Sequence, residues 1–114
     1  MEKNIRLCAA KLGMTLWRNN SGCAVDQSGR VIRYGLANDS KQLNAIIKSS
    51  DLIGFTIING VAVFTALEIK PLGWKKPLND RERAQEKFIE LVNRSGGLAG
   101  FITCEQDLYD LFFA

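Results

Sequence analysis

Leu52 to Ile69 reads LIGFTIINGVAVFTALEI, and this stretch decides the fold. Leu52 to Ile58 and Val61 to Ile69 are rich in β-branched and aromatic residues, as strands are. Asn59-Gly60 between them is the preferred pair for a two-residue type I′ turn, because both central residues of that turn take positive φ. Such a turn pairs residues whose numbers sum to 119, which sets Asp51 opposite Glu68. Directly opposed Cβ atoms lie about 4.5–5.5 Å apart. Lys70, two residues beyond Glu68, points to the same face. The other members of that face are Ile53, Phe55, Ile57, Ala62, Phe64 and Ala66, so two acids and a lysine stand at the end of an apolar surface expected to be buried. A bulge at Gly54 would shift the register by one and turn Asp51 away.

Like charges opposed in a sheet are destabilising and call for compensation. A divalent cation supplies it, and Mg²⁺ suits a site with one or two carboxylates, several waters and a phosphate oxygen. Two further residues converge on this end. Glu2 lies three positions before Ile5 on the apolar stripe of a first helix, although a carboxylate there also favours a helix N-terminus through the macrodipole. Gln85 lies three before Phe88 and four before Ile89, beside the buried side of its helix.

The chain contains no histidine. That removes Ser-His-Asp and Cys-His triads, histidine-ligated metals and imidazole acid–base chemistry. Catalysis is left to carboxylates, lysine, tyrosine, cysteine or a bound hard cation.

Working outward, Glu2 to Leu12 reads as a helix stopped by Gly13, and Gly22 to Gln27 and Arg30 to Tyr34 read as short strands around a Ser28-Gly29 turn. Residues after Trp17 are polar and turn-rich. Leu36 to Ser50 has no clear period beyond a helical turn around Leu43 to Ile47. Pro71 ends the second strand of the hairpin, and Asn79 with Glu82 resembles a capping box. The helix it opens carries Ala84, Phe88, Leu91 and Val92 and closes at Gly96-Gly97. Leu98 to Thr103 reads as a strand, followed by a helix through Phe112. The order α-β-β-β-β-α-β-α describes an α/β fold, a mixed β-sheet flanked by helices.

With 114 residues, 46% hydrophobic and 24% charged, the chain has the size and composition of one soluble globular domain, spanning 1–114. Its net charge of +3 leans only mildly toward anionic partners. No apolar run reaches the ~18 residues a membrane helix needs, and Met1-Glu2-Lys3-Asn4 does not read as a signal peptide. Cys8, Cys23 and Cys104 form no CxxC pair and are expected to be buried thiols of a reducing, cytoplasmic compartment.

Asp51, followed by Glu68-Ile69-Lys70 at the end of the next strand, resembles the D…ExK signature of the PD-(D/E)XK nuclease superfamily, and the detail resembles the VRR-NUC branch in its small stand-alone form. The matching stretches are the opening Glu2, Trp17-Arg18-Asn19-Asn20-Ser21-Gly22, Ser50-Asp51-Leu52-Ile53-Gly54, Leu67-Glu68-Ile69-Lys70-Pro71, Gln85 and Gly96-Gly97-Leu98-Ala99-Gly100. They span nearly the whole chain, and the ordered set is far more specific than ExK alone. Ser50 stands where the superfamily name places proline, and Leu36 to Ser50 matches least.

The resemblance implies a restriction-endonuclease-like fold and metal-dependent hydrolysis of DNA phosphodiesters. By position, Asp51, Glu68 and the Ile69 backbone carbonyl would ligate Mg²⁺ or Mn²⁺, with Glu2 binding directly or through water. Lys70 would orient the attacking water and stabilise charge on the phosphate, and Gln85 would support the site or contact nucleic acid. Small stand-alone members are associated with homodimers acting on branched DNA such as four-way junctions, and other members are structure-selective nucleases.

Around this centre, Arg18, with Asn19 beside it, reads either as an ion-pair partner or as a phosphate clamp. Lys75, Lys76, Arg81, Arg83 and Lys87 read either as a solvated face or as contacts to the DNA backbone. Trp74 reads as a loop anchor or a stacking platform, and Phe112-Phe113 as a surface for self-association. The rival expectation is a non-catalytic DNA-binding or assembly module that keeps the fold. An RNA-directed nuclease is a third, since phosphate chemistry does not report the sugar.

Overall fold

A computed structural model describes residues 2–20 and 22–114 of the chain. Ser21, within one of the quoted motifs, lies outside the described residues. The elements are α1 (Glu2–Lys11), β1 (Met14–Arg18), β2 (Gly22–Val25), β3 (Val31–Tyr34), α2 (Lys41–Ile46), β4 (Leu52–Ile58), β5 (Val61–Ile69), α3 (Asp80–Arg94), β6 (Leu98–Ile102) and α4 (Glu105–Phe112). The fold is α/β: a mixed four-stranded sheet in the order β1-β4-β5-β6, a separate β2-β3 hairpin, and four flanking helices.

The central hairpin forms as its sequence predicts. Asn59 and Gly60 take φ of 52° and 78°, the pair of positive values a type I′ turn requires. The ladder then runs without a slip from Ile58↔Val61 to Leu52↔Leu67. Gly54 is not a bulge. It pairs with Leu16 across β1, where an added Cβ would lie 1.8 Å from the Thr15 carbonyl oxygen, so the glycine lets the edge strand approach.

β1 was not expected from sequence. Met14 and Leu16 point into the core while Thr15 and Trp17 face out, so its alternation spans only five residues and is masked by the polar run that follows. Its far edge is closed by Arg6, whose Nη2 donates to the Leu16 carbonyl at 3.2 Å. A second difference is α2, which starts at Lys41 because the Ser40 hydroxyl accepts the Leu43 N–H.

The sheet separates two apolar layers. Ile5, Cys8, Met14, Leu16, Leu52, Leu67, Ile102 and Leu108 form one, beneath α1 and α4. Ala66, Ala99, Phe88, Ile89 and Val92 form the other, beneath α3. α3 is set by Asn79, whose side chain accepts the Glu82 N–H at 2.8 Å. It packs over β5 and β6 and leaves the turn end of β4 bare. The face expected to be buried is therefore covered only near the site: Ile57 and Phe64 are exposed, as is Trp17, which meets Phe55 with ring centroids 5.9 Å apart. No described helix is long and apolar enough to cross a membrane.

Candidate active site

Asp51 sits one residue before β4 and Glu68 one residue before the end of β5. In a two-residue hairpin the hydrogen-bonded pairs alternate from Ile58↔Val61, so the 51/68 position is a non-hydrogen-bonded one, where side chains come closest. The ladder ends here because side chains take over its bonds. Asp51 Oδ2 accepts the Ile69 N–H at 3.0 Å, and Asn19 Nδ2 donates to the Ser50 carbonyl at 2.9 Å. The Asn19 N–H completes the clamp on the Asp51 carbonyl at 2.7 Å. Since N–H and C=O of one strand residue point the same way, the Ile69 carbonyl also faces the Asp51 side.

Glu68 is only 4% exposed. Burial pushes its carboxyl up to about 9, with a hydrogen bond to Asp51 and that residue's negative charge adding to the rise, while Lys70 and Arg81 oppose it. A buried acid facing a second acid is the compensation problem posed by the sequence, and the donor set fits a hard divalent cation: two carboxylate groups and one backbone carbonyl, beside an open polar cleft. Among the described residues no third His, Cys, Asp or Glu joins the pair. Glu2 instead bonds Arg18, Oε2 to Nη1 at 3.1 Å, and lines a groove between α1 and β1 with Arg6 and Met14.

Lys70 lies on the expected face, and its ammonium points toward α3. Nζ donates to Gln85 Oε1 at 2.7 Å and is 3.4 Å from Glu82 Oε2. The rings of Trp74 and Phe101, packed on each other, lie together on one side of it, with centroids 5.8 and 5.9 Å away. Gln85 is buried, as its helical position implied. Glu82 is held below the usual carboxylate range, chiefly by the Leu78 N–H; burial opposes this, and the Trp74 indole and Lys70 add to the lowering.

The cleft over the acids is lined by Asn19, Arg33, Lys48, Arg81 and Gln85, among others. Of the residues expected to meet nucleic acid, Arg81 and Asn19 are thus brought to the acids. Asn19 spends its amide on Ser49 and Ser50 and so holds the Asp51 segment. Arg18 lies at the strand end, bonded to Glu2 and Asn20. Lys75 faces a different groove at β6 with Asp107 and Asp110, and Lys76 is exposed. Trp74 is a loop anchor, packed on Phe101 at 4.5 Å and donating to Glu82.

Arg33 and Lys48 were missed from sequence. They reach the cleft from β3 and from the segment after α2, bonded to the neutral side chains of Asn38 and Asn44. The only signal for Lys48 was its place three residues before Asp51. Neither they nor Arg81 has a carboxylate partner within ion-pair distance among the described residues. Of the three cysteines, expected buried, only Cys8 is; Cys104 is half-buried and Cys23 is exposed at the cleft, because the β2-β3 hairpin forms a two-stranded sheet separate from the main one. No protein-family model, no curated protein and no solved structure matches the chain.

Proposed function

We propose that the chain is a Mg²⁺- or Mn²⁺-dependent deoxyribonuclease with a restriction-endonuclease-like fold, resembling the small stand-alone VRR-NUC nucleases and acting as a homodimer on branched DNA. The observation that carries this reading is the opposed pair itself: Asp51 and Glu68 converge at the end of one β-ribbon, with Glu68 almost fully desolvated. Two such groups side by side are stabilised by a cation between them. Three cations with no carboxylate within ion-pair distance among the described residues, Arg33, Lys48 and Arg81, border the same cleft and suit a phosphate backbone.

Asp51, Glu68 and the Ile69 carbonyl would hold the ion, which when bound supplies a low-pKa water and neutralises phosphoryl charge without an imidazole. Lys70 would supply a positive charge to stabilise the negative charge that the transition state gains. Gln85 fixes the Lys70 head by accepting from it. Arg81 adds positive potential to the floor of the cleft.

Incubation with Mg²⁺ against linear, flapped, nicked and four-way DNA, with an RNA duplex alongside, tests the reading. Cleavage of the branched forms that is lost in Asp51→Asn supports it; an intact panel sinks it. The rival, a non-catalytic DNA-binding or assembly module, draws on the absence of a third metal-ligating side chain among the described residues. Calorimetric titration with Mn²⁺ separates the two, because only the nuclease binds the ion in a manner that depends on Asp51 and Glu68.

A further inference from the structure

The contacts of Lys70 extend beyond the residues that the sequence nominated. Its side chain is 12% exposed although lysine is a long, flexible, strongly hydrated group. The strand ends at Ile69 and Pro71 follows, so the backbone alone does not direct the ammonium. Gln85 supplies one neutral acceptor. The only carboxylate within ion-pair distance, among the described residues, is Glu82.

Glu82 is itself fixed at both oxygens. Oε1 accepts the Leu78 N–H at 3.0 Å, and Oε2 accepts the Trp74 indole N–H at 2.9 Å. The same Oε2 faces Lys70. A carboxylate serving only to cap α3 would need the first of these contacts and would turn its other oxygen to water. Here that oxygen joins the indole to the ammonium, and the indole packs on Phe101 so that both rings lie on one side of the lysine head. The 71–79 loop, the first turn of α3 and the end of β5 are thereby tied at one carboxylate.

We infer that Glu82 is a positioning residue for Lys70: with the Trp74 indole holding it in place, it sets where the ammonium lies relative to Asp51 and Glu68. This deepens the nuclease reading and rests on it. The capping-box pattern recognised in the sequence accounts for the Asn79 side of this turn and for none of the Lys70 contact.

The decisive variant is Glu82→Gln. It keeps an acceptor for the Leu78 N–H but sets an amide NH₂ against two other donors. It is expected to lower kcat on a branched DNA about 10-fold with KM unchanged, and to have no further effect when added to Lys70→Ala. Asn79→Ala, which removes only the helix cap, is expected to lower the melting temperature and leave kcat as it was. Independently of cleavage, the ¹H–¹⁵N signal of the Lys70 ammonium, visible when that group is held in a hydrogen-bonded site, is expected in the wild type and Asn79→Ala and lost in Glu82→Gln. A Glu82→Gln protein that keeps the ammonium signal, or that slows cleavage equally with and without the Lys70 amine, overturns the assignment. Should no form of the protein cleave DNA, the nuclease reading fails alone, and the ammonium signal still reports on the contact.

Discussion

Asp51 reaches across the end of the β-ribbon and accepts the Ile69 N–H at 3.0 Å, so the side chain proposed to bind a cation also closes the last rung of the ladder. The two roles separate by substitution. Asp51→Asn keeps an acceptor and is expected to melt within a few degrees of the wild type while losing Mn²⁺ binding. Asp51→Ala leaves a partly buried N–H without a partner and is expected to destabilise by about 1–3 kcal/mol. Urea titrations of both variants check this; equal stability of the two would show that the Ile69 contact carries no weight.

Glu68 gives a pH dependence with a definite sign. Its folded-state carboxyl is raised from 4.5 to about 9, so between these values the folded chain holds more protons than the unfolded one. Stability is then fully present below about 4.5 and falls as pH rises toward 9. Glu68→Gln removes this slope. In chelator-treated protein the variant is expected to exceed the wild type by on the order of 2–4 kcal/mol at pH 7.5, with the gap closing near pH 5. A gap that does not change with pH would contradict the buried, protonated state.

Lys70→Ala is expected to reduce cleavage by about 10²–10³-fold, the scale of losing one preorganised electrostatic contact to the transition state. DNA affinity, measured by fluorescence anisotropy in Ca²⁺, is expected to survive. Weakened binding with unchanged turnover of the bound complex would assign Lys70 to the substrate grip instead.

Arg33→Ala and Lys48→Ala test the cleft walls. Each is expected to weaken DNA binding similarly across sequences and to lower the slope of log K against log salt by about 0.9. Lys75→Ala, facing the separate groove beside Asp107 and Asp110, serves as the contrast and is expected to change the slope little. The assignment of the walls falls if the three variants behave alike.

Gly54→Ala places a methyl group on the Thr15 carbonyl and is expected to cost about 3 kcal/mol by forcing β1 away from β4. Thermal unfolding is the check, and a melting temperature near the wild-type value would refute the close approach.

The hairpin was legible because its turn chemistry and its two strands agree, and a type I′ turn leaves one register available. That register carried Asp51, Glu68 and Lys70 with it. Gln85 followed from helical spacing against Phe88 and Ile89. β1 was not legible, since five residues with two inward side chains fall below the length at which alternation stands out from the adjoining polar run. Arg33 and Lys48 were missed because their place in the cleft depends on how the β2-β3 hairpin and α2 return to the sheet, which no local pattern encodes. The Lys70 head is a similar case. Strand parity gives its side of the sheet, whereas the 71–79 loop and Glu82 decide where it rests.

Arg6 has a consequence for assembly. By occupying the Leu16 carbonyl it blunts the outer margin of β1, and a strand arriving from another molecule would have to displace a guanidinium before it could pair there. Continuous sheet growth across that margin is thereby discouraged. A two-fold partnership would join through side chains, and the uncovered ground around Trp17, Ile57 and Phe64 is apolar enough to receive them.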